Sequence, residues 1–140
     1  MLNKVLAAID SSDLSDLVIK TLQQLSLPED AQVVLAHVLV NSDANPDIAV
    51  DRPQVEREDI SYDVLERLQT YQAALPYKSE LEILCGEPAE EIVRLANIHH
   101  ADLIVIGSRG LTGVTRILKG SVSSQVVEEA SCSVLVVKPR

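Results

Sequence analysis

The sequence contains no phenylalanine and no tryptophan, and Tyr62, Tyr71 and Tyr77 are its only aromatic residues. Its core must therefore be built from Val, Leu, Ile and Ala, and base stacking on aromatic platforms is unavailable as a route to nucleic-acid binding. Basic residues are scarce as well, with 12 Lys and Arg against 21 Asp and Glu, for a net charge of −9. Phosphate backbones require broad basic surfaces, so neither DNA nor RNA is expected as a partner. Cysteine is limited to Cys85 and Cys132, far apart and without a C-x-x-C pattern, which reads as two reduced structural thiols rather than a redox or metal pair. No run approaches the roughly 18 apolar residues of a membrane span, and Met1-Leu2-Asn3-Lys4 leads into a short strand pattern instead of a signal peptide. A cytoplasmic protein with no membrane partner is expected.

What is present is one domain's worth of chain, 140 residues with 46% hydrophobic content, expected to fold as a single unit over residues 1–140. Lys4 to Ile9 is a first strand pattern, ending at the turn and cap cluster Asp10-Ser11-Ser12-Asp13. Leu14, Leu17, Val18, Thr21, Leu22 and Leu25 repeat at helical spacing until Pro28. Val33 to Val40 is apolar throughout and reads as a central strand, in which His37 is expected to be a satisfied core residue, not a metal ligand. The polar connection 41–53 reads either as a variable flap or partner surface or as disorder. A long helix follows, with Val64, Leu65, Leu68, Tyr71 and Leu75 on one face and Glu56, Arg57, Glu58, Glu66 and Arg67 largely on the other, ended by Pro76.

Ser79 to Leu84 alternates polar and apolar residues, as a strand near a sheet edge does. After the turn at Gly86, a helix buries Ala89, Ile92, Val93 and Ala96 and closes at His99 and His100. Adjacent helical positions diverge by about 100°, so this histidine pair is not read as a metal site. Leu103 to Ile106 is a strand, Val122, Val126, Val127 and Ala130 mark a final short helix, and Ser133 to Val137 a fifth strand. Strands alternating with helices predict a three-layer α/β domain, five parallel strands with helices on both faces.

The chemistry concentrates between Asp102 and Ser124. Gly107, Gly110, Gly113 and Gly120 are four of the five glycines, and the small hydroxyl residues after Gly120 stand at a helix start, a natural anion site. Between Leu103 and Val127 there is no Asp or Glu, while Arg109, Arg116 and Lys119 make the segment +3 and leave −12 for the rest of the chain. A polyphosphate suits such a basic glycine loop. The loop is neither a G-x4-G-K-[ST] phosphate loop nor a dinucleotide G-x-G-x-x-G.

With its spacing Gly107-x2-Gly110-x9-Gly120-Ser121, the sequence resembles the ATP-binding branch of the universal stress protein family, from the Asp10 turn to the last strand. That resemblance implies an adenine nucleotide alpha hydrolase-like sheet of order 3-2-1-4-5, with a crevice between the first and fourth strands. It also implies a cytoplasmic, ATP-binding stress-response protein acting as a nucleotide-dependent switch for an unknown client protein. Ile9, Asp10 and Val38 would serve the nucleoside side, Val38 through its backbone, with bulky Ile9 narrowing the adenine pocket. Ile106, Gly107, Arg109 and Gly110 would wrap the sugar and phosphates, and Gly120, Ser121, Val122 and Ser123 the phosphate tail. Ser123 stands where Thr is common and keeps the hydroxyl.

Magnesium or manganese would travel with the phosphates, since no dedicated metal cluster is evident. Nor is a catalytic residue assigned: the segment offers hydroxyls and Arg109 but no obvious carboxylate base. The alternatives are a slow ATPase or self-phosphorylating enzyme, and a dimeric scaffold that binds AMP or a cyclic nucleotide or has lost useful ATP binding. The apolar last strand, Ser133 to Val137, implies a homodimer by edge pairing.

Overall fold

The apolar runs become strands and the periodic segments helices. A computed structural model describes residues 3–9, 13–39, 62–108 and 122–138. Along the chain stand β1 (Lys4–Ala8), α1 (Asp13–Gln24), β2 (Gln32–Leu39), α2 (Tyr62–Ala73), β3 (Lys78–Cys85), α3 (Pro88–His99), β4 (Leu103–Gly107), α4 (Val122–Glu129) and β5 (Ser133–Val137). The strands form one parallel sheet in the order β3-β2-β1-β4-β5, as expected. The connection 41–53 and the residues Glu56, Arg57 and Glu58 lie outside the described residues.

Strand alternation sorts the core onto two faces. Val5, Ala7, Val33, Leu35, Leu103 and Val105 point to one side, where Val18, Ile19 and Leu22 of α1 and Leu68 and Tyr71 of α2 cover them. Leu6, Ala8, Val34, Ala36, Ile104 and Ile106 point to the other, beneath Ile92, Leu95 and Ala96 of α3 and Val122 and Val126 of α4. β1 and β4 sit in the middle of the sheet and are apolar on both faces, since helices screen both from water. Each fully buried Leu or Ile there contributes about 1.5–3 kcal/mol.

Three local details depart from the sequence reading. α3 buries Leu95 along with Ala89, Ile92 and Ala96, while Val93 is only half-buried. Val127 was expected in the buried stripe of α4 but is 52% exposed. It follows Val126 by one residue, a rotation of about 100° away from the sheet, and the stripe is Val122, Val126 and Ala130 instead. β3 also begins earlier than Ser79 and ends later than Leu84, pairing with β2 from Gln32↔Lys78 to Leu39↔Cys85.

The turn from β3 into α3 needs its glycine: Gly86 has φ +149°, and an added Cβ would stand 3.2 Å from Glu91 Cγ. Pro88 then opens α3 with Glu90 and Glu91 in the first turn, where carboxylates favour the helix dipole. At the other end His100 takes the left-handed conformation, φ 54° and ψ 47°. The Ala101 N–H donates to Ala96 O at 2.9 Å and the His100 N–H to Asn97 O at 3.3 Å, closing the helix in a Schellman turn.

Candidate functional site

In this strand order β1 leads through α1 to β2 on one side, while β4 leads to β5 on the other. The connections part at the carboxyl ends of β1 and β4, and the crevice of an open parallel sheet lies at such a switch point. The sequence places its candidate residues around that point, and the structure gathers those of them that it describes.

On the β1 side, Ile9 extends the ladder beyond the strand, its N–H donating to Ala36 O at 2.9 Å. Its carbonyl accepts from His37 Nδ1 at 3.0 Å, so Nδ1 carries the proton of that bond. His37 is buried on β2 and thus acts as a core histidine that holds the end of β1 in place. The Ile9 side chain is fully buried in the α1–α2 core. Val38 sits near the end of β2 with its side chain in the α3–α4 core, consistent with a backbone role.

On the β4 side, Ile106 pairs with Ala8 of β1, and Gly107 pairs with Val137 of β5. The ladder continues through the Ser108 N–H, which donates to Val137 O at 2.8 Å. Val122 and Ser123 begin α4 and are both buried. The Ser123 hydroxyl donates to Ser108 O at 3.2 Å, tying the start of α4 to the end of β4. No acidic residue stands in the first turn of α4, so the helix itself sets no negative charge against its leading N–H groups. Asp10, Arg109, Gly110, Gly120 and Ser121 lie outside the described residues.

The Ser108–Ser123 bond was not read from the sequence, where only the small hydroxyl at the helix start hinted at it. A hydroxyl, backbone donors at a helix start and a buried glycine at the strand end fit an anionic phosphate. None of the described candidate residues is a carboxylate, so none offers a cation an anionic ligand. A cleft of about 410 Å³ lies elsewhere, at the amino ends of β1 to β3, lined by Lys4, Gln32, Val34, Lys78, Ser79 and Glu80. Neither Cys85 nor Cys132 is in a disulfide, and burial pushes both thiols above the usual range.

A model of the universal stress protein family matches residues 1–138. Universal stress protein YxiE of Bacillus subtilis is 32% identical over 150 residues, spanning 99% of this chain and all of that protein. Among solved structures, MJ0577 of Methanocaldococcus jannaschii superposes with a TM-score of 0.78 at 26% identity, covering 100% of this chain and 98% of the other. A universal stress protein in complex with cAMP gives a TM-score of 0.70 at 23% identity, covering 98% and 97% of the two chains. A family protein from Arabidopsis thaliana with AMP bound gives 0.66 at 24%, covering 99% and 92%. These last two are likenesses of fold.

Proposed function

The chain belongs to the universal stress protein family, and from that premise we propose that it binds an adenine nucleotide, ATP in the first instance, between the carboxyl ends of β1 and β4. The observation that carries this reading is the bond from Ser123 to Ser108. It sets the start of α4 beside the end of β4, so that both ends of the glycine-rich segment meet at the switch point. The structural neighbours solved with cAMP and AMP support an adenine ligand.

In this reading Ile9, Asp10 and the Val38 backbone hold the nucleoside. Ile106, Gly107, Arg109 and Gly110 follow the sugar and phosphates, and Gly120, Ser121, Val122 and Ser123 take the phosphate tail. A divalent ion would be held mainly through the phosphates. The protein works as a switch read by a client, a single cytoplasmic domain over residues 1–140 that dimerises through β5, with any hydrolysis slow.

Calorimetry with ATP, AMP and cAMP tests the site. Backbone donors reach phosphate only at about 2.7–3.2 Å, a space that the methyls of Gly120→Val would occupy. The variant is expected to lose at least about tenfold in ATP affinity, ~1.4 kcal/mol, with its circular dichroism unchanged. Unaltered affinity in a folded Gly120→Val protein rejects the phosphate assignment, and no binding of any of the three nucleotides rejects the function. Mass spectrometry of co-purifying small molecules identifies the ligand carried from the cell.

A further inference from the structure

Two glutamates and a histidine that stand well apart in the sequence meet beside the edge strand β3. Glu80 and Glu82 are two residues apart on β3 and share one face of it. It is the face α3 covers, because Leu84, next in the same series, belongs to the α3–α4 core. His99 is the last residue of α3, and its Nε2 lies 2.8 Å from Glu82 Oε2. One ligand atom from each of Glu80, Glu82 and His99 lies within 4.8 Å of the other two.

The His99 and Glu82 side chains are only 16% and 20% exposed. Each is fixed from behind, Glu82 by the ladder to Ala36 and His99 by the Schellman turn that follows it. Glu80 is exposed and lines the cleft at the amino ends of the strands, so one side of the cluster opens to solvent. Among the described residues no cation pairs with Glu80.

We propose that Glu80, Glu82 and His99 bind a divalent transition cation of the zinc class. Zinc takes imidazole nitrogen and carboxylate oxygen at about 2.0–2.2 Å, which places neighbouring ligand atoms roughly 3.3 Å apart in a tetrahedron. The His99–Glu82 pair at 2.8 Å would open by about half an ångström as the ion takes the place of their shared hydrogen, and Glu80, exposed and within 4.8 Å of both, is the ligand that closes in. Two carboxylates and a neutral imidazole carry −2 and match the ion's charge. The imidazole argues against magnesium or calcium, which take oxygen ligands. Three protein ligands leave a fourth position toward the cleft for water or an outside ligand.

The divergence of adjacent helical positions does disqualify His99 with His100, since His100 is exposed in its left-handed turn. The partners of His99 come from the strand instead. The site lies on β3, beyond β2 from the β1–β4 crevice, and does not depend on nucleotide binding.

The test is calorimetric titration of the chelator-treated full chain with Zn²⁺ alone. Saturable one-to-one binding is expected, weakened at least about tenfold in Glu82→Gln and in His99→Gln and unchanged in His100→Asn. Absence of saturable binding, or equal affinity in all three variants, overturns the proposal. If a variant fails to fold, imidazole resonances of the unaltered chain decide. A shift of His99 with one equivalent of Zn²⁺ supports the site; movement only of His37 or His100, or no movement, rejects it.

Discussion

β3 and β5 close the sheet at opposite ends, each paired on one side only, yet they are built on different principles. β3 reads KSELEILC: its first half is charged and open to water, and its last three residues are buried. β5 reads SVLVV, with no charged residue and four half-buried aliphatic side chains in succession. Unpaired strand edges invite pairing, and inserted charge is one of the devices that prevent it. β3 has that device in Lys78, Glu80 and Glu82, whereas β5 has none. On the readings proposed above the two edges have different uses, β3 closed to another strand and holding a cation, β5 pairing with a second copy of the chain.

The largest effect is expected from making β5 resemble β3. In a two-fold dimer formed by edge pairing, a residue near the axis faces its own copy, so Val136→Lys would set like charges opposite each other. Sedimentation should show dimer affinity reduced by at least about tenfold, ~1.4 kcal/mol. Val136 also packs partly against the α4 side, so a denaturant melt at low concentration is needed to separate dimer loss from weaker folding. A monomeric parent protein at micromolar concentration would remove this account of β5.

The two cysteines sample the same contrast, Cys85 as the last residue of β3 and Cys132 just before β5. Cys85 is buried and Cys132 half-buried, and burial raises the pKa of both thiols. The thiolate is the reactive form, so both should alkylate slowly at pH 8, with Cys132 ahead of Cys85 by about tenfold in peptide mapping. The raised pKa means that the folded chain holds these protons more tightly than the unfolded one. Their contribution to stability is therefore present below the unfolded thiol value of about 8.5 and lost as pH rises above it. Cys85 reacting first would show that β3 opens more readily than β5.

A smaller effect is expected from making β3 resemble β5. Replacing both Glu80 and Glu82 by Val removes two charges from the edge strand, and cross-strand pairs contribute about 0.2–1 kcal/mol each. New association by light scattering should rise by less than tenfold. An unchanged oligomeric profile would mean that charge is not what protects this edge.

These edges also show how far the sequence could be read. Apolar runs punctuated by Pro28, Pro76 and Gly86 located the described strands and helices, because each pattern lies within a short window of chain. Strand order depends on which runs pair across long separations, and it came from the family resemblance. Val127 was misassigned because its hydrophobicity was weighed without its helical angle. The bonds from Ser123 to Ser108 and from His99 to Glu82 span 15 and 17 residues. Each depends on the direction of one side chain after a helix has packed, which periodicity does not encode. Of the candidate crevice residues, Ile9, Val38, Ile106 and Gly107 stand at the carboxyl ends of β1, β2 and β4, and Val122 and Ser123 at the start of α4.

The smallest effect concerns the charged edge itself. Without a metal, His99→Gln replaces an imidazole 2.8 Å from Glu82 by an amide that can still donate to the carboxylate. The partners are mostly shielded, at 16% and 20% exposure, so water competes little for their hydrogen bond. Its geometry nevertheless rests on the backbone of the β2–β3 ladder and of the turn that ends α3, and the substitution removes no backbone hydrogen bond of either. The loss should be about 0.5–1 kcal/mol in urea unfolding with chelator present, the range of one hydrogen bond. A loss several times larger would mean that this contact fastens α3 to β3, making the charged edge a structural clasp. A loss near the expected value leaves the fold indifferent to His99, so that a change in zinc affinity in the same variant reports on the ligand and not on unfolding.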